Sequence, residues 1–362
     1  MNKKILILAN MDIWVYNLRK ELLEKLIEKK YDVTIGIPDG EKVEKLKEMG
    51  CNHVKVDLDR RGTNPIKEIR LFFQYLKILK RLKPDVVLTY TIKPNLYGGI
   101  ACRMKKIKCI ANVTGLGSAL ENNGLLDKVI NILYKLAFKR NQCIFCQNQQ
   151  DLNYLFNKGI SKNILKLIPG SGVNLEKFKV LEYPKDEKIE FLFIGRILKS
   201  KGIDEYLKTA EYIKSKYDNT VFNVLGFCEE EYEEKLKGLQ EKNIIKYYGL
   251  QDNIIPFLQR SHCTIHPTYY PEGMSNVLLE SAASGRPIIT TNRAGCRETV
   301  NNGISGYIVQ EKNSQDLIEK VEKFIKLSNE EKKQMGMDGR KKVEKEFDRN
   351  IVIEAYLKEI RR

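Results

Sequence analysis

The chain opens on KKILILAN, and continuous apolar runs of this kind return at intervals along its length. In the first half they cover Lys4–Ala9, Asp32–Pro38, His53–Val56, Asp85–Tyr90, Cys109–Val113 and Cys143–Cys146. Each is short and apolar at successive rather than alternate positions, as expected of a strand buried on both faces. Between the runs, apolar positions recur every three to four residues. That period predicts helices over Tyr16–Lys30, Lys42–Met49, Pro65–Leu82, Asn95–Met104 and Leu126–Arg140. Such alternation specifies a doubly wound parallel sheet, in which ligands bind beyond the carboxyl ends of the strands. Those ends are Ala9–Tyr16, Tyr90–Asn95 and Val113–Leu120.

The alternation breaks at LIPGSGVNLEKF (Leu167–Phe178), rich in Gly and Pro, and then restarts. Strands are predicted at Glu190–Ile194, Val221–Leu225, Ile244–Tyr248, Cys263–His266 and Ile288–Thr291. Helices are predicted at Ile203–Lys216, Glu229–Leu239 (strongly acidic), Asn253–Gln259, Ser275–Ala283 and Ala294–Val300. The tail Ser328–Arg362 reads as helical and charged, with Phe347, Ile351, Ile353 and Tyr356 as its apolar positions. A chain of 362 residues suits two α/β domains. We expect them at residues 1–172 and 173–345, with 346–362 a final helix packing back on the first.

Composition narrows the classes. A hydrophobic fraction of 42% and a charged fraction of 30% describe an ordinary globular chain. No run of 18 apolar residues is present, and MNKKILILANMD lacks a signal-peptide cleavage site, so a cytoplasmic protein is expected. The 8 cysteines are scattered. The closest pair, Cys143 and Cys146, falls in a strand where i and i+3 point to opposite faces, so reduced core thiols are expected. Charge is more telling. Residues 1–170 hold 31 Lys/Arg against 16 Asp/Glu, whereas residues 171–362 hold 32 against 31. The first half therefore directs a positive field at something anionic.

The chemistry concentrates at two places in the second half. In FIGRILKSKGIDEYL a strand ends at Gly195, and Arg196 and Lys201 follow in a tight loop before a helix. Two cations beside a helix N-terminus suit a diphosphate. In HPTYYPEGMSNVLLESAASGRPII, a turn-rich loop carries Glu272, and Glu280 lies eight residues on, about two turns along the following helix.

Taken together, Arg196-x4-Lys201 and Glu272-x7-Glu280 resemble the signature of the retaining nucleotide-sugar transferases of glycosyltransferase family 4. The similarity extends through TYTIKPNLYGG, NVTGLGSAL, FCQNQQD and PGSGVNLEKF to a subgroup that builds lipid-linked oligosaccharides, capsules and exopolysaccharides. The resemblance implies the GT-B fold, two Rossmann-like domains facing a cleft. It implies that Arg196 and Lys201 bind the donor diphosphate. Glu280 would hold the ribose, and Glu272 with Gly273, Met274, Ser275 and Asn276 the sugar and phosphates, beside Gly195. On the acceptor side it points to Tyr16 and Arg19, with Asn95, Thr114, Gly115 and Ser171 as further candidates; Lys93 is a candidate for acceptor or donor phosphate. The family's first-domain histidine has no counterpart: the matching place holds Thr91 or Ile92, and no general base is assigned. Implied catalysis is a front-face displacement in which the leaving diphosphate assists the incoming hydroxyl. No metal-binding cluster is recognised, so metal-independent transfer is expected.

The expected donor is a UDP-sugar, in particular a UDP-N-acetylhexosamine, and the expected acceptor a polyprenyl-diphosphate-linked saccharide. The basic half then has a target in the anionic inner leaflet, contacted through Leu126–Arg140 with Lys105 and Lys106, using Lys128, Lys135, Lys139 and Arg140. A soluble starch- or sucrose-type transferase or a UDP-sugar epimerase is the competing enzyme reading. A nucleic-acid binder is disfavoured, since no aromatic stacking platform interleaves with the basic residues.

Overall fold

The apolar runs become strands of two all-parallel sheets in the computed structural model, which describes residues 2–60, 62, 64–116, 125–185 and 187–362, the side chains of 125–128 excepted. The first sheet contains β1 (Lys4–Leu8), β2 (Asp32–Ile37), β3 (Asn52–Lys55), β4 (Val86–Tyr90), β5 (Lys108–Val113), β6 (Cys143–Cys146) and β7 (Leu165–Leu167). Their order is β3-β2-β1-β4-β5-β6-β7. Ile7 of β1 lies opposite Ile35 on one side and Leu88 on the other, so the most apolar strands sit centrally. The second sheet holds β8 (Ile189–Ile194), β9 (Thr220–Leu225), β10 (Lys246–Tyr247), β11 (Cys263–His266), β12 (Ile288–Thr291) and β13 (Gly306–Val309), ordered β10-β9-β8-β11-β12-β13. Each order reverses once, at β1/β4 and at β8/β11, and ligands of doubly wound sheets bind beside that reversal.

The chain divides into two units, Met1–Ser171 with Asn350–Arg362, and Gly172–Arg349. The last helix, Arg349–Arg361, thus falls almost wholly in the first unit, and it starts three residues later than the expected 346. Its Val352, Ile353, Tyr356, Leu357 and Ile360 complete a core face with β1, β2, β4 and the helix Asp12–Glu28. The opposite face is covered by helices Pro65–Leu82, Gly99–Lys105 and Leu125–Phe138, the middle one packing against both others.

Several elements differ from the sequence reading. The first helix begins at Asp12 rather than Tyr16. β7 and β13 were not anticipated, being short and marked by Lys or Gly within the run. The acidic helix starts at Glu233, because Glu229 and Glu230 bend toward the loop after β8. Pro94–Gly98 forms a π-helical turn before the helix Gly99–Lys105. Ala294–Val300 contains only a short 3₁₀ turn, Arg297–Thr299. The charged tail breaks at Phe347–Asp348, where Val173 inserts: its N–H donates to Phe347 O at 2.9 Å and its carbonyl accepts from Arg349 N–H at 3.1 Å.

Candidate active site

The second unit brings the predicted donor residues together at its β8/β11 reversal. β8 is apolar through Ile194, then Gly195 and Arg196 leave the sheet. A 3₁₀ turn, Lys199–Lys201, leads through Gly202 into the helix Ile203–Lys216. Gly202 has φ +77°, and a Cβ there would overlap the carbonyl of Pro267 in the loop after β11. A bare, left-handed residue is what lets the two loops touch.

Lys201 donates to Glu272 Oε1, with both side chains largely buried. His266, the last residue of β11, places Nε2 3.7 Å from the same oxygen. That is too long for a hydrogen bond, and the imidazole nitrogens are buried without partners. Burial pushes the Glu272 carboxyl up, but the Lys201 charge and the imidazole outweigh it and hold the group well below the usual carboxylate range. Burial drives the His266 pKa down, partly offset by Glu272, so the ring is neutral at pH 7. Arg196 uses one nitrogen, Nη1, to donate to Oε1 and Oε2 of Glu229, both at 2.9 Å. Arg196 and Lys201 also share the face of Tyr270, with Cζ at 5.0 Å and Nζ at 5.1 Å from the ring centroid.

Glu280 lies on the helix Asn276–Ala283, partly buried. Its carboxylate makes no ion pair or hydrogen bond among the described residues, and burial pushes its pKa up to about 7 against the fields of Lys177 and Arg349. Asn276 Oδ1, in the first turn of that helix, is a buried acceptor without a donor. The first-turn N–H groups have no intrahelical acceptors. Met274 and Ser275 are buried, so they offer backbone rather than side chain. Gly295, at φ +85°, lets its loop approach Gly273, whose carbonyl would lie 2.7 Å from a Cβ there. The result is two cations, a buried carboxylate and an unengaged one around backbone donors, suited to a phosphorylated, hydroxyl-rich ligand.

The first unit corrects several acceptor-side expectations. Lys93 is not presented to a phosphate: it donates to Asp59 O at 2.5 Å, Gly62 O at 2.7 Å and Glu68 Oε1 at 2.5 Å, tying a loop to a helix. Asn95 is likewise structural, 1% exposed, accepting from Thr89 Oγ1 and donating to Asn112 O. Ser171 is buried at the end of the unit. Arg19 is 2% exposed and lies over the rings of Trp14 (4.8 Å), Tyr90 (4.7 Å) and Tyr356 (5.9 Å). Tyr16 is partly buried under Lys20 and Lys45, and Thr114 and Gly115 sit partly buried just past β5. Thr91 has φ +68°, a strained conformation for a β-branched residue, at the place where the family's histidine would fall.

Lys105, Lys106, Lys135, Lys139 and Arg140 are all exposed, whereas the Lys128 side chain lies outside the described residues. Sequence reasoning missed Glu229, Tyr270 and His266. His266 carried the readable signal of a polar residue closing an apolar strand before proline. It also overlooked an Asp-x-Asp triplet after β3. Asp57 accepts from Gln74 Nε2 at 3.4 Å and Asp59 pairs with Lys67 at 3.2 Å, and no group of three metal-ligating side chains forms among the described residues.

Residues 175–342 match the family described as Glycosyl transferases group 1, and residues 4–148 that described as Glycosyl transferase 4-like. Along its length the chain is 30% identical to the N,N'-diacetylbacillosaminyl-diphospho-undecaprenol alpha-1,3-N-acetylgalactosaminyltransferase of Campylobacter jejuni, covering 95% of this chain and 94% of that one. It belongs to the glycosyltransferases. A capsular polysaccharide biosynthesis glycosyltransferase, CapM of Staphylococcus aureus, is 28% identical over 98% of this chain and 95% of its own. The structure of Anabaena HepE in complex with UDP and glucose shares the fold, with a TM-score of 0.79, 16% identity and 99% of each chain covered. This glycosyltransferase is thus of the two-Rossmann-unit, GT-B type. Of the residues that carried the resemblance, Lys201 pairs with Glu272, Arg196 and Lys201 share the face of Tyr270, and Glu280 lies on the helix that follows.

Proposed function

We propose that this glycosyltransferase transfers an N-acetylhexosamine from a UDP-sugar to a polyprenyl-diphosphate-linked saccharide at an anionic membrane surface. The observation that carries the reading is the convergence of Arg196 and Lys201 beside Glu272, with the unengaged Glu280 carboxylate on the helix that follows the Glu272 loop. Arg196, Lys201 and backbone N–H groups would stabilise the charge that grows on the leaving diphosphate, a role in which one donor is worth about 3 kcal/mol. Glu280 would accept from ribose hydroxyls, and Asn276 Oδ1 from a sugar hydroxyl. Transfer would proceed with retention by front-face displacement and without a metal. The Campylobacter relative, named for a diphospho-undecaprenol substrate, supports the acceptor class, and the UDP complex of Anabaena HepE supports the donor class.

The membrane part of the proposal rests on exposed side chains of the first unit. On the helix Leu125–Phe138, Val129, Ile132 and Leu136 are exposed at i, i+3 and i+7. Met104 on the neighbouring helix and Ile66, Ile69 and Phe73 on Pro65–Leu82 are exposed as well, in a layer of three adjacent helices. Lys105, Lys106, Lys135, Lys139 and Arg140 flank the apolar side chains. Near-surface cations contribute about 1 kcal/mol each on an anionic leaflet. No described helix is long and apolar enough to cross a membrane.

A thermal-shift panel of UDP, GDP, ADP and UDP-sugars on wild type and Glu280→Ala tests the donor. Stabilisation by UDP and one UDP-N-acetylhexosamine, lost in the variant, is expected, and indifference to every nucleotide overturns the donor reading. Flotation with phosphatidylglycerol vesicles tests the surface. Binding that Ile132→Glu abolishes is expected, and a wild type that stays with the soluble fraction at low salt refutes it.

A further inference from the structure

The acidic stretch after β9, Cys228-Glu229-Glu230-Glu231-Tyr232-Glu233-Glu234, has no role in the chemistry above, yet it is fastened to the loop that carries it. Ile197 forms a parallel bridge with Cys228, and its carbonyl accepts from the Glu229 N–H at 3.0 Å. One residue on, the Glu230 carboxylate accepts from the Lys199 N–H at 2.8 Å. The strap thus brings Glu229 directly to Arg196, where both carboxylate oxygens take the same Nη1 at 2.9 Å. On the other side Lys201 is paired with Glu272. Two cations and two carboxylates leave this quartet without net positive charge. A nucleotide diphosphate, which brings at least two negative charges, therefore meets cations already neutralised by the protein's own acids.

Glu229 and Glu272 differ in what holds them. Glu272 is wedged between Lys201 and the buried His266, in a loop fixed by the close approaches of Gly202 and Gly295. Glu229 sits on a surface bend between β9 and its helix, and both its carboxylate oxygens take one nitrogen of Arg196. Of the two it is the carboxylate a phosphate can displace.

We infer that Glu229 is an intramolecular counter-ion that competes with the nucleotide diphosphate for Arg196, and so sets how tightly the donor is held and how readily spent nucleotide leaves. The inference rests on the reading of Arg196 as a diphosphate ligand. Glu229 acts through Arg196 and is a positioning residue. Two effects oppose each other when its charge is removed. The guanidinium loses an orienting partner, and the phosphates lose a repelling charge a few ångström away. Tyr270, its ring centroid 5.0 Å from Arg196 Cζ, still orients the guanidinium once Glu229 is neutral, whereas like charges at contact range in this partly buried site repel strongly. Repulsion dominates, so neutralising Glu229 tightens nucleotide binding.

The test is isothermal titration of UDP into the full-length protein, comparing wild type with Glu229→Gln, Glu229→Ala and Glu230→Gln. Both Glu229 variants are expected to bind UDP about tenfold more tightly, with KM for the donor falling and kcat unchanged or lower as product leaves more slowly. Glu230→Gln, which removes a neighbouring charge that accepts from Lys199 N–H at 2.8 Å, is expected to change Kd less than twofold. Unchanged or weaker binding in whichever Glu229 variant folds overturns the inference, and so does equal tightening in Glu230→Gln, which would mark a diffuse charge effect. A wild type that binds no UDP, GDP or ADP instead overturns the donor reading on which the inference stands.

Discussion

Glu280 offers the sharpest quantitative test, because its environment makes folding itself depend on its proton. Burial raises its pKa from an ordinary 4.5 to about 7, with Lys177 and Arg349 only partly opposing the rise. Between those two values the folded chain holds a proton that the unfolded chain has released. Stability therefore falls as pH rises from 4.5 through 7, and the deficit is complete above that. Two and a half pH units at about 1.4 kcal/mol each come to about 3.5 kcal/mol. Glu280→Gln is uncharged throughout and escapes this loss. His266, whose lowered pKa acts with the opposite sign below its ordinary value, titrates in both proteins and cancels in their difference. Calorimetry at pH 5 and pH 8 should therefore show nearly equal melting at pH 5. At pH 8 the variant should melt higher by roughly 7–14 °C, at about 2–4 °C per kcal/mol for a unit of this size. A constant offset between the two proteins at both pH values would refute the argument, since the carboxyl would then carry no folding-linked proton.

Three other outcomes follow from the same site. Lys201→Met strands the buried Glu272 carboxylate and should cost about 3–5 kcal/mol in urea unfolding, whereas Lys201→Met combined with Glu272→Gln should recover most of that loss while leaving nucleotide binding abolished. Gly202→Ala puts a methyl group into the Pro267 carbonyl and strains a left-handed residue, so a loss of about 2 kcal/mol or more and weakened UDP binding by titration are expected. Asn112→Ala removes a buried group that donates to Tyr356 OH at 2.6 Å and accepts from Gln147 at 3.1 Å. It should lower stability by about 2 kcal/mol in the same unfolding assay without changing UDP affinity.

What could be read in the sequence was whatever is encoded locally. β1, β4, β8 and β11 are continuous apolar runs whose burial their composition demands, and all four were placed within two residues. Arg196 and Lys201 were legible because a strand end, a glycine and a helix start fall within one short stretch. Lys93 was misjudged because its partners Asp59, Gly62 and Glu68 lie 25 to 34 residues upstream, and no local pattern announces that a loop will fold over it. Glu229 was hidden for the same reason: it reads as the start of an acidic helix, and only the sheet order sets β9 beside β8 and its loop beside Arg196. β13 escaped because Gly306 and Tyr307 open it in a stretch of Asn and Gly that reads as turn.

The assignment of the final helix to the first unit bears on the order in which the chain can fold as it is synthesised. One face of the first sheet is finished only by Val352, Ile353, Tyr356, Leu357 and Ile360, and the cage around Arg19 closes only with Tyr356. The residues of the second unit, Gly172–Arg349, are contiguous, so that unit is complete on the ribosome before its predecessor is. A nascent chain therefore carries an unfinished apolar face through some 180 residues of elongation at roughly 5–20 residues per second. For those seconds the first unit lacks the side chains that close this face, and loss of the last dozen residues leaves it open.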